Sequence, residues 1–136
     1  MIGGTNAETM TADTATALAG KNPNISIQAQ TIGTVNLIAG EQAIGNITIA
    51  KKGMYLVHIW GNTTIGQQGW SQAGIAKGGN LQVVEQNLYY QGAGDYYHSV
   101  MGLQRYNVGD IVGIYRRCSV AMTEYAVLSV TFLGDY

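Results

Sequence analysis

The chain has 136 residues, of which 46% are hydrophobic and 11% charged, with a formal net charge of -1. That length suits one domain with a sizeable buried core, and the charge lies well below the roughly 25% of an average soluble protein, so much of the surface is uncharged polar or hidden in contacts. A nucleic-acid partner is excluded by the lack of any basic cluster beyond Lys51-Lys52 and Arg116-Arg117, and membrane insertion by the lack of an apolar run long enough to span a bilayer.

Residues 1–24 are rich in Thr, Ala, Gly and Asn, sustain no apolar period, and close on the chain's one proline in Lys21-Asn22-Pro23-Asn24. They read as a flexible arm or linker that docks on other proteins of a larger particle, preceding a β-domain over 25–136. Glu8 and Asp13, with no basic start and no apolar stretch, argue against a secretory signal. Cys118 is the one cysteine, so no intrachain disulfide is possible. The expectation is maturation in a reducing cytoplasm, and a near-neutral effect of Cys118→Ser.

From Ile25 onward the pattern has period two. Ile25, Ile27 and Ala29 alternate with Ser26, Gln28 and Gln30; Val35–Ile38 and Ile44–Ile49 follow, and Lys51-Lys52-Gly53 turns the chain. Met54–Trp60 is apolar on both faces, with Tyr55, Val57 and Ile59 on one and Met54, Leu56, His58 and Trp60 on the other. Such a strand needs cover on both sides. Gly61–Gly69 reads as a polar, turn-rich stretch. Strands are expected at Trp70–Ala76 and Leu81–Val84 around Lys77-Gly78-Gly79-Asn80, then at Tyr96–Leu103, Ile111–Arg117 and Ala126–Leu133. Nine or ten short strands with no convincing helix after residue 24 make an all-β antiparallel sandwich or barrel.

Several segments carry a resemblance in order and spacing over about residues 44–136. Gly53-Met54-Tyr55-Leu56-Val57-His58-Ile59 resembles the Gly-x-Tyr-x-Phe strand of C1q/TNF-like globular heads. Gly74-Ile75-Ala76-Lys77-Gly78-Gly79 is similar to their Lys-Asn-Gly-type hairpin, and Leu103 through Gly109-Asp110-Ile111-Val112 to their Leu-x-x-Gly-Asp-x-Val turn. Leu128–Leu133 stands in the place of the closing strand, with Val130 where that family has Gly, and no collagen-like stalk is present. The resemblance implies a jelly roll of about ten strands, assembled as a homotrimer through one sheet. Leu56, His58, Trp60 and Tyr115 are the candidate subunit contacts. Virus and phage fibres use similar trimeric heads behind Thr/Gly/Asn/Ala-rich arms, which points to a phage virion protein assembled in the host cytoplasm.

Catalytic signatures are missing: no serine-nucleophile motif, no phosphate-binding glycine loop, no carboxylate pair at glycosidase spacing. The chain reads as no enzyme, with no cofactor and no metal loop. His58 reads as a packed or interface residue, and His98 as a long-odds ion ligand at a trimer axis. Asp110 reads as the cap of its own turn. Nine tyrosines and two tryptophans are the richest functional clue, because their flat rings with polar edges suit both subunit contacts and sugar stacking. Tyr89-Tyr90 and Tyr96-Tyr97 flank Gln91–Asp95, and each doublet sends its rings to opposite faces of a strand. Tyr89, Tyr90, Asp95, Tyr96 and Tyr97 are therefore the candidate ligand residues. The expected function is a trimeric tail-fibre or receptor-binding head that takes a host-surface glycan; the alternative is a capsid-decoration or head-fibre protein.

Overall fold

The computed structural model describes residues 26–135. The expected arm, residues 1–24, lies outside the described residues. Eight strands follow in order: β1 (Ser26–Leu37), β2 (Gly40–Thr48), β3 (Gly53–Ile65), β4 (Gly69–Lys77), β5 (Asn80–Tyr90), β6 (Gly94–Tyr106), β7 (Ile111–Cys118) and β8 (Met122–Gly134). They form two four-stranded antiparallel sheets, ordered β1-β8-β3-β6 and β2-β7-β4-β5. Successive strands alternate between the sheets for most of the chain, as in a jelly roll.

The count among the described residues is eight rather than nine or ten, because one expected break is not a break, and another strand runs further than expected. A register shift between Thr31 and Thr34 lets the chain bend within β1 instead of ending it. Polar Asn62-Thr63-Thr64 continues β3, since Thr63 donates to Glu124 Oε1 at 2.7 Å and Thr64 to Asp95 Oδ1 at 2.6 Å. A second bulge lies between Ile44 and Ile47 in β2, with Gly45 at φ 80°. It folds over Gly113 of β7, where a Cβ would lie 2.8 Å from the Gly45 carbonyl oxygen. That extra residue turns both Ile44 and Ile47 toward the core, which simple alternation would have split.

Alternation in β3 and β8 supplies most of the core: Tyr55, Val57 and Ile59 meet Ala126, Leu128, Val130 and Phe132, and β4 and β7 add Ala73, Ile75, Val112 and Ile114. A smaller cluster, Leu37, Ile65, Tyr90, Cys118 and Met122, fills the opposite end. Cys118 is thus a packing residue, and burial pushes its thiol pKa up. Serine there would bury a hydroxyl in a mainly apolar cluster with Gln42 Nε2 beside it, so a loss of stability replaces near-neutrality as the expected outcome.

A fully buried polar group accompanies these two clusters. Arg116 Nη1 lies 2.7 Å from both oxygens of Glu124 and 2.7 Å from His98 Nε2, while its Nη2 donates to Ser71 Oγ at 2.7 Å. Ser71 Oγ in turn meets the Tyr90 hydroxyl at 2.7 Å, and His98 Nε2 lies 3.0 Å from Glu124 Oε2. Strands β3, β6 and β8 of one sheet are thereby tied to β4, β5 and β7 of the other. Gly61 makes room for it, since a Cβ there would come within 2.5 Å of the His98 ring.

Candidate functional site

The tyrosine doublets divide as strand alternation requires. Tyr89 and Tyr97 are 77% and 67% exposed. Tyr90 is buried, bonded to Ser71, and packs on the half-buried ring of Tyr96 at a centroid distance of 4.7 Å. Tyr96 donates to the Gly92 carbonyl and Asp95 accepts from Thr64, so both brace the β5–β6 turn. The structure therefore does not bring the five candidates into one site. Tyr90 and Tyr96 are packing residues, and the two presented rings stand on opposite outer faces of the sandwich.

Tyr97 belongs to the outer face of the β1-β8-β3-β6 sheet. Its ring lies 6.1 Å from Trp60, which in turn meets Tyr125 edge-on at 6.3 Å. The same face carries Leu56 opposite Leu103, and His58 opposite Met101, with Ile27 and Val127 beside them. Met101 and Leu103 are more than half exposed. Between Asp95 at one end and Arg105 at the other, no residue of this face in β3, β6 or β8 is acidic or carries a fixed positive charge. His58 Nε2 lies 3.2 Å from Ser99 Oγ. Ser99, Ser129 and Thr131 stand among these side chains, so the face is apolar and uncharged polar by turns, and exposed apolar clusters of this kind mark interaction surfaces.

Tyr115 does not share that face. It is buried on the outer side of the other sheet, where its hydroxyl donates to Glu41 Oε1 at 2.7 Å. It leaves the set of candidate subunit contacts because β7 and β3 lie in different sheets. His98 cannot reach a trimer axis either: its ring is enclosed between the sheets against Glu124 and Arg116. Among the described residues no three His, Cys, Asp or Glu side chains come together as a metal would need. Asp110 accepts from the Asn107 backbone N–H at 2.8 Å, as a turn cap does, and faces Lys77 at 3.7 Å.

Tyr89 lies on the outer face of the β2-β7-β4-β5 sheet, directly across from Trp70. The pair flanks a cleft of about 180 Å³ whose remaining lining is Ser71, Gln72 and Asn87. Gln72 Nε2 donates to Asn87 Oδ1 at 2.9 Å, and the Arg117 guanidinium sits 5.7 Å from the Trp70 ring centroid. Trp70 is absent from the candidates read from the sequence for a specific reason. Counting back from the Lys77–Asn80 turn pairs Trp70 with Asn87; two register shifts in β4–β5 move Tyr89 into that place.

With this geometry in view, comparison with solved structures is informative about the fold. A TNF structure, Eiger from S. frugiperda, superposes with a TM-score of 0.53 over 82% of this chain and 93% of that one, at 12% identity. A chain of infectious bursal disease virus, Gx strain, gives 0.56 over 81% of this chain and 33% of that one, at 11% identity. The fold is a TNF-like jelly roll. No family model matches the chain, and no curated protein matches it in sequence.

Proposed function

We propose that the chain is a non-enzymatic, homotrimeric virion module of a bacteriophage that binds a host cell-surface receptor, a glycan. The observation that carries this reading is the contrast between the two outer faces. The β1-β8-β3-β6 face, with Leu56, His58, Trp60, Tyr97, Met101 and Leu103, is continuous and almost uncharged, which suits burial against copies of itself. The opposite face then points outward, and it holds the aromatic cleft between Trp70 and Tyr89. Among the described residues, the cluster that combines hydroxyl, imidazole and carboxylate groups, around Arg116 and Glu124, is closed to solvent and offers a substrate no entry. A virus chain and a TNF both stand among the structural neighbours, which is compatible with a trimeric head.

The test is binding of the purified full chain to an array of bacterial surface polysaccharides, run beside co-sedimentation with phage capsids. Array binding without capsid association is the expected outcome. Capsid association with an empty array would replace the receptor reading with the decoration one.

A further inference from the structure

We propose that the Trp70–Tyr89 cleft is a binding site for one uncharged pyranose ring of a surface polysaccharide. This deepens the receptor reading and rests on it, because it requires the β2-β7-β4-β5 face to be the outward one. A pyranose has an apolar C–H face and a rim of hydroxyls, so it needs a flat ring to lie against and amide groups within reach. The cleft supplies both. Trp70 and Tyr89 face each other on neighbouring strands, and the amides of Gln72 and Asn87, the next pair along the same face, complete the lining. Their mutual hydrogen bond commits Asn87 Oδ1, which leaves the two N–H donors of the Asn87 amide for sugar oxygens. The same bond fixes the Gln72 side chain, so part of the ordering cost is met before a ligand arrives.

The charge around the cleft argues for a neutral sugar rather than an acidic one. Among the described residues no carboxylate or ammonium lines it. Arg117 is held over the Trp70 ring, and in the strand register it lies opposite Glu41, so the flank of the cleft carries one residue of each sign. The size, about 180 Å³, admits a single ring and not an oligosaccharide, so affinity per site is set near the millimolar range and rises on a polyvalent surface through the other copies in the trimer.

The chain has two tryptophans, so full-length protein carrying 5-fluorotryptophan gives two ¹⁹F resonances, assigned with Trp70→Phe. Methyl glycosides of glucose, galactose, mannose and N-acetylglucosamine are the probes. At least one should move the Trp70 resonance saturably while that of Trp60 stays in place, and Tyr89→Ala should remove the response. On the polysaccharide array, Trp70→Ala and Tyr89→Ala should each lose roughly tenfold or more in binding, while Leu81→Ala, on the same face but outside the cleft, binds as the parent does. If the array is bound and Trp70 neither shifts nor matters when replaced, the receptor reading stands and this site is wrong. If neither array nor glycosides register, both are wrong.

Discussion

Glu124→Gln is the substitution that most sharply tests how the two sheets are held together. The Glu124 side chain is fully buried, receives Arg116 Nη1 at 2.7 Å on both oxygens and Thr63 Oγ1 at 2.7 Å on one, and faces His98. Glutamine keeps the shape and an acceptor, but strands the Arg116 guanidinium in the interior without an anion. Removing one member of a buried ion pair costs about 3–5 kcal/mol, because the remaining charge stays desolvated. For a folded unit of roughly 110 residues the unfolding entropy is about 0.23 kcal/mol/K, so the melting temperature should fall by roughly 13–22 °C. The assay is thermal unfolding by circular dichroism at pH 7 and one fixed protein concentration, since assembly makes the midpoint concentration-dependent. The double replacement Arg116→Met with Glu124→Leu should cost less than either single change, because no unpaired charge remains. A fall of less than about 4 °C for Glu124→Gln, corresponding to ~1 kcal/mol, would refute the view that this cluster is an ion pair on which the fold depends.

The same carboxyl predicts the acid limb of the stability curve. Burial pushes its pKa up, but the His98 hydrogen bond, the Arg116 charge and the Thr63 hydroxyl outweigh that and hold it below its ordinary value. Its stabilisation is therefore complete above the unfolded carboxyl range and lost as pH falls through the folded value; melting temperatures from pH 7 to 3 should decline at the acid end, and less steeply in Glu124→Gln. Met101→Arg places a charge in the middle of the β3–β6 face and should give a monomer with unchanged far-ultraviolet dichroism, read by light scattering. Cys118→Ser should lower stability by roughly 1–3 kcal/mol through burial of a hydroxyl in a mainly apolar cluster, with Cys118→Ala milder; equal midpoints for the two by urea unfolding would contradict the packing role.

The strands were legible because apolar alternation is dense in β3, β6 and β8, and turn residues such as Gly78-Gly79 and Asn107–Asp110 mark their ends. Alternation also splits each tyrosine doublet between the two faces of its strand, while which ring is presented follows only from the structure. What it does not contain is which strands share a sheet. Tyr115 and Leu56 are both outward-pointing residues, but on opposite faces of the molecule. Register is the second gap: bulges in β1, β2 and the β4–β5 pair shift partners by one or two residues, and only those shifts set Trp70 against Tyr89. The buried cluster was hidden by a different conflict. Val112, Ile114, Arg116 and Cys118 share one strand face, which points Arg116 inward, whereas the general avoidance of buried charge reads Arg116-Arg117 as surface. The partner that resolves the conflict, Glu124, lies on β8, paired through the fold and not through sequence spacing.

The claim on which the account rests is assembly through the β1-β8-β3-β6 face, and the solution mass of the full chain tests it most directly. Multi-angle light scattering at micromolar concentration should give three times the 14.5 kDa chain mass. A single species at the mass of one chain would contradict it, leaving the apolar face around Trp60, Met101 and Leu103 to some other partner.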